Sequence, residues 1–182
     1  MKIFLKKVWY FIWHDDSLLS WIVNVALAFI LVKFIVYPGL GFLLNTTHPL
    51  VAVVSCSMEH NSDFETWWNN NKNLYASYNI TKENFLNFNF KNGINQGDIM
   101  ILKTGNSIKV GDVIVFNGGS TNPIIHRLVQ DNKGKLQTKG DNNQITDSTT
   151  GSVIGKAIFR IPYFGWVKIL FNNLIGQKII KC

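Results

Sequence analysis

The chain has 182 residues, of which 47% are apolar and only 16% charged, against roughly 25% charged in an average soluble domain. That length accommodates one ordinary domain with a short appendage and excludes two large ones. The charge deficit excludes a disordered polyelectrolyte and points to a membrane segment.

The net charge of +7 is unevenly spread. Residues 50–160 carry 11 basic and 9 acidic side chains, so the middle of the chain is close to neutral. The excess lies in residues 1–17, at Lys33 and in the tail from residue 161, beside the most apolar stretches. A nucleic-acid binder would concentrate basic charge on its folded domain, so lipid rather than nucleic acid is the expected partner. Two cysteines, Cys56 and Cys182, are too few for a disulfide framework. The four histidines show no zinc-finger spacing, and neither a metal nor an organic cofactor is expected.

In chain order, residues 1–17 read as a cytoplasmic N-terminus. Residues 18–37 (LLSWIVNVALAFILVKFIVY) contain one charge in twenty positions and would span about 30 Å as a helix, the thickness of the hydrocarbon core. Pro38, Gly39 and Gly41 are expected to break that helix. Lys33 lies near its end and can snorkel, and Trp21 and Tyr37 suit the two interfaces. A cleaved signal peptide is the competing reading. However, the small-x-small triplet Ala26-Leu27-Ala28 falls in mid-run, where cleavage would strand apolar residues. Lys2, Lys6 and Lys7 precede the span and no Lys or Arg follows it until Lys72, so the positive-inside rule puts the N-terminus in the cytoplasm. The expected location is the cell membrane, single-pass, with residues from about 45 onward on its outer face.

Residues 45–162 read as a β-rich domain. Residues 51–55 form a short β-branched run. An insertion at 61–95 is rich in Asn and aromatics and suits one or two short helices, with Asp63 and Thr81 as N-caps. Strand signals follow at 98–103, 112–116, 124–129, 135–139 and 153–161, separated by Gly, Asn and Asp turns. Strands without intervening helices argue for a compact, bent β-sheet. In residues 163–182, Val167, Leu170, Phe171 and Leu174 recur at helical spacing with Lys168, Lys178 and Lys181 on other faces, which predicts an amphipathic helix on the membrane surface. The fold class is therefore mostly β, with an N-terminal transmembrane helix, a small helical insertion and a C-terminal amphipathic helix.

Three places carry candidate chemistry. Ser55-Cys56-Ser57-Met58-Glu59-His60 follows a strand, His126-Arg127 lies inside an apolar run, and Asp141 and Asp147 lie in one loop. A serine, a histidine and a carboxylate are the parts of a nucleophilic acyl-transfer site. Taken singly, each has a plainer reading as turn residue, core histidine or turn carboxylate. Their order along the chain is more specific.

In that order the chain resembles the signal peptidase I family, in the Ser-His form of archaea and the endoplasmic reticulum. Residues 55–60 match Ser-Gly-Ser-Met-x-Pro, Gly97-Asp98-Ile99 match Gly-Asp-Ile/Val, and residues 110–116 match Val-Gly-Asp-Val-Ile-Val-Phe. His126-Arg127 match His-Arg, where bacterial relatives have Lys-Arg. Residues 139–143 with Asp147 match Lys-Gly-Asp-Asn-Asn and a later Asp. Cys56 replaces the family's glycine and His60 its proline.

The resemblance implies a membrane-bound serine endopeptidase that cleaves signal peptides from secretory preproteins. Ser57 would be the nucleophile, His126 the general base and Asp147 its orienting carboxylate. Asp141 is the alternative for that last role, or else holds the loop together. The Ser57 backbone N–H, with the Ser55 hydroxyl as a second candidate donor, would form the oxyanion hole. The preprotein would bind as an added strand, and accessory subunits or a translocon are candidate partners. A catalytically silent module that binds preproteins or other subunits is the alternative reading. The role of the insertion stays open between a lid and a partner surface.

Overall fold

A computed structural model describes residues 2–105, 107–118, 123–149, 152–176, 179 and 182. The chain divides into two compact units, one ending at Leu43 and one starting at Leu44.

The first unit is helical. Helix α1 (Lys2–His14) occupies a stretch for which the sequence suggested only a charged N-terminus. Helix α2 (Leu18–Leu31) starts at Ser17, whose hydroxyl accepts from Ser20 N–H at 3.2 Å. The two polar side chains of α2 are satisfied on α1: Ser20 Oγ donates to the Phe11 carbonyl at 2.6 Å and Asn24 Nδ2 to the Ile12 carbonyl at 2.9 Å. Those bonds remove the cost of carrying Ser and Asn in an apolar helix.

The break expected at Pro38 does not occur. A wide π-turn at Val32–Val36 leads into α3 (Tyr37–Leu44), giving one helical run from Leu18 to Leu44 of 27 residues. Tyr37 N–H reaches back to the Val32 carbonyl. Such a turn re-pairs backbone groups just ahead of a residue that has no N–H to give, and proline in an apolar helix is tolerated in this way. At 1.5 Å per residue the run is about 40 Å long, more than the hydrocarbon core requires.

The second unit is a seven-stranded, wholly antiparallel sheet of order β1-β2-β7-β3-β4-β5-β6. Its strands are β1 (Leu50–Ala52), β2 (Ile99–Lys103), β3 (Val113–Phe116), β4 (Ile124–Asn132), β5 (Lys135–Lys139), β6 (Asp147–Thr149) and β7 (Val153–Ile161). Register shifts at Ile101/Leu102, Val115/Phe116 and Leu128/Gln130 increase its local twist and bend. Strand β6 was invisible in the sequence because Asp-Ser-Thr carries no apolar signal, and pairing with β5 alone defines it.

The insertion folds into α4 (Phe64–Ala76), capped by Asp63, and α5 (Lys82–Leu86), capped by a Thr81/Asn84 box. Trp67, Trp68, Tyr75 and Phe85 pack there with Ile80 and Val129 into a buried aromatic cluster. A second cluster joins Val53, Met58, Ile94, Met100, Leu102 and Val115 beneath the 53–58 loop. The tail helix α6 spans Trp166–Leu174; Ile169 is buried, while Val167, Leu170, Phe171 and Leu174 are exposed. The helix predicted to continue to residue 182 stops there, and Lys178 and Lys181 lie outside the described residues. Cys56 and Cys182, dismissed on count, are joined by a disulfide that closes 126 residues of chain. One bond is not a framework, but it ties the tail to the loop that carries Ser57.

Candidate active site

Strand β4 contributes two adjacent residues with different surroundings, because side chains alternate across a strand. His126 pairs with Ile114 and Arg127 with Val113 across β3. His126 is 5% exposed and lies edge-on to Phe116. Its Nδ1 is 2.8 Å from Asp147 Oδ2, ion-pair range, although the oxygen lies off the ring N–H axis. Burial pushes the His126 imidazole below its ordinary value, against the opposing pull of the Asp147 and Asp141 carboxylates. It is therefore held neutral, the form in which a histidine can act as a base.

Ser57 is half-buried in the turn after β1, with its Oγ 3.3 Å from Ser55 Oγ. Gly140 marks where Ser57 and His126 approach one another. A methyl group on Gly140 would sit 2.8 Å from His126 Nε2 and 2.8 Å from the Ser57 carbonyl oxygen. The two groups thus flank a space too small for a methyl group, which a glycine leaves open. His126 and Asp147 come together from separate segments, with the Ser57 backbone beside them across Gly140.

Asp141 does something else. The turn at Gly140 is closed without it, by Asn143 N–H to the Gly140 carbonyl at 2.8 Å. Its carboxylate is instead fully buried and accepts four donors. Arg127 Nε and Tyr75 Oη reach Oδ1 at 2.9 and 2.8 Å, while Arg127 Nη2 and His60 Nε2 reach Oδ2 at 2.7 and 3.1 Å. Burial opposes this carboxylate's charge, but Arg127 and the hydrogen bonds outweigh it and hold the acid far below its ordinary value. Burial opposes the Arg127 charge too, and Asp141 more than restores it. Arg127 also stacks on Phe85 at 4.7 Å and donates to the carbonyls of Asn89, Phe90 and Gly111. A buried pair so fully bonded avoids the cost of an unmatched charge.

The same loop holds the serine turn. Asn142 N–H donates to the Ser57 carbonyl at 2.8 Å, and Asn142 Nδ2 to the Cys56 carbonyl at 3.2 Å. Buried Lys139 donates to the carbonyls of Gly140 and Asp141 at 3.1 and 2.9 Å, its amine pushed down to about 8 by burial. From the other side, Ile94 N–H bonds the Met58 carbonyl and Gln96 Nε2 the Val54 carbonyl.

Sequence reasoning named Ser55, Ser57, His126, Asp141 and Asp147 but missed Asn142, Tyr75 and the part played by His60. The available signal was Arg127: an arginine inside an apolar strand needs a buried carboxylate partner, and Asp141 was one candidate. Among the described residues, no group of three or more His, Cys, Asp or Glu side chains is placed to hold a metal ion.

Among the described residues, one helix long and apolar enough to cross a membrane precedes an antiparallel β-domain that carries a serine, a histidine and a carboxylate, the parts of a serine endopeptidase site. No family model matches the chain. Curated relatives do. It is 28% identical to the signal peptidase complex catalytic subunit SEC11 of Yarrowia lipolytica, over 76% of this chain and 72% of that protein. The Sclerotinia sclerotiorum subunit is also 28% identical, over 77% and 73%. The Tuber melanosporum subunit is 27% identical, over 86% and 81%. The chain is thus similar, over most of its length, to catalytic subunits of the signal peptidase complex.

Proposed function

We propose that this chain is a membrane-bound signal peptidase, cleaving N-terminal signal peptides from secretory preproteins by a Ser57 acyl-enzyme mechanism. The observation that carries this reading is the approach of the Ser57 carbonyl and His126 Nε2 to one point beside Gly140, with Asp147 at the other imidazole nitrogen.

In this reading Ser57 Oγ attacks the scissile carbonyl as His126 Nε2 takes its proton. His126 then protonates the leaving amine, and water, deprotonated by the same nitrogen, releases the acyl group. Asp147, 2.8 Å from Nδ1, orients the imidazole. The Ser57 backbone N–H and the Ser55 hydroxyl stabilise the oxyanion. The preprotein binds as an added strand with small residues at the first and third positions before the cut.

The enzyme works within a complex, as the names of its relatives imply for them, and accessory subunits or a translocon are its protein partners. Its N-terminus faces the cytoplasm and its catalytic domain the outer side of the cell membrane, as the placement of Lys2, Lys6 and Lys7 supports. The exposed apolar face of α6 supports contact with lipid. Tethering raises the enzyme's effective concentration where cleavage sites emerge.

The test is cleavage of a synthetic precursor by the purified full-length chain and its Ser57→Ala variant. Cleavage only by the wild type is expected, and activity retained in Ser57→Ala overturns the proposal. Protease protection tests the orientation: the domain should be digested in right-side-out vesicles and protected in inverted ones.

A further inference from the structure

We propose that His60 is a positioning residue, whose hydrogen bond to Asp141 sets the geometry of the serine turn. The inference rests on the reading of Ser57 as nucleophile and extends it to the role of the insertion.

The contacts form a closed ring. Ser57 is followed three residues later by His60. His60 Nε2 donates to Asp141 Oδ2 at 3.1 Å, and the next residue, Asn142, donates from its backbone N–H back to the Ser57 carbonyl at 2.8 Å. Both ends of the 57–60 segment are thus fixed to consecutive residues of one loop. Met58, between them, is completely buried. Rotation of the serine turn requires breaking one end or the other.

His60 is well placed for this work. Its side chain is 2% exposed, and its ring stacks on Trp67 of α4 at 3.6 Å, nearly parallel at 9°. Behind it, a methyl group on Gly93 would meet His60 Cδ2 at 2.7 Å. The imidazole is therefore gripped from two sides and can offer Nε2 in one direction only. The carboxylate it meets has two oxygens, each already taking one donor from Arg127, so His60 and Tyr75 supply the remaining bond to each.

Trp67 and Tyr75 both belong to α4. The inserted segment is thus a wall that fixes Asp141, and through Asn142 the carbonyls of Cys56 and Ser57. A displacement of about 1 Å at a nucleophile can cost on the order of a hundredfold in rate, so the bond has kinetic leverage beyond its own strength.

Two variants separate the bond from the packing. His60→Phe keeps a ring on Trp67 and removes the donor, whereas His60→Gln keeps a donor at similar reach and removes the ring. Full-length protein in detergent would be assayed for kcat and KM on a synthetic precursor. Amide exchange would be followed by mass spectrometry in the peptide containing Asn142. His60→Phe should lose about ten- to a hundredfold in kcat at near-constant KM, with faster exchange in that peptide, and His60→Gln should recover most of both. Wild-type kcat and exchange in His60→Phe would overturn the proposal, as would equal impairment of the two variants, which would reduce His60 to ring packing. If the wild type cleaves nothing while Ser57→Ala is equally inert, the peptidase reading fails. The exchange comparison then still decides whether His60 holds the serine turn.

Discussion

His126 and Asp147 meet across the end of β5: Nδ1 of the imidazole is 2.8 Å from a carboxylate oxygen on β6, a strand that pairs with β5 and not with β4. Asp141, six residues nearer His126 in sequence than Asp147, bonds Arg127 instead. The two aspartates of one loop therefore serve two neighbouring residues of one strand.

This division of labour predicts two different losses. Asp147→Asn should leave the fold intact, since Asp147 is 40% exposed, and lower kcat by about 10⁴, the cost of a mis-set imidazole tautomer. Asp141→Asn leaves Arg127 buried without its counter-charge and should cost roughly 3–5 kcal/mol of stability. Thermal melts alongside single-turnover rates distinguish them. A folded, inactive Asp141→Asn beside a folded, active Asp147→Asn would exchange the roles.

Activity should fall on acidification with a midpoint below 6.5, the ordinary histidine value, because burial lowers the His126 pKa. The catalytic form is the neutral one, so rate is present above that midpoint and lost as pH falls through it. Asp147 opposes the lowering. Asp147→Asn should accordingly shift the acid limb to still lower pH while reducing the plateau. A kcat/KM profile for both proteins reads the shift, and a move to higher pH in the variant would contradict the assignment.

Gly140→Ala should reduce activity more than stability. The added methyl would lie 2.8 Å from both His126 Nε2 and the Ser57 carbonyl, so the base and the serine turn must separate. A core overpacking of this size costs typically 1–3 kcal/mol, whereas the catalytic loss should reach about a hundredfold. Denaturant unfolding and kcat/KM measured on one preparation give both numbers.

Reduction of the Cys56–Cys182 disulfide, or Cys182→Ser, should lower unfolding free energy by about 2–4 kcal/mol, because the bond closes a long loop. Unfolding curves with and without reductant test it; an added reductant should not change the Cys182→Ser curve.

The sequence alone determined the elements whose signals are local. An apolar run with one charge specifies a helix long and apolar enough to cross a membrane, alternating apolar strands specify a sheet, and Asp63 and Thr81 cap α4 and α5 with bonds spanning three residues. The order of Ser57, His126 and Asp147 was likewise legible, since the motifs around them are contiguous.

Tertiary structure decided what depends on partners distant in sequence. A π-turn carries the helix past Pro38, so a local breaker does not break it. β6 exists only through β5. Cys56 found Cys182 across 126 residues. Asp141 left its turn for Arg127, Tyr75 and His60, because a carboxylate enclosed by the fold loses water and must collect donors from whichever segments surround it. Burial is a property of the assembled chain, and with it came the assignment of each aspartate to its partner.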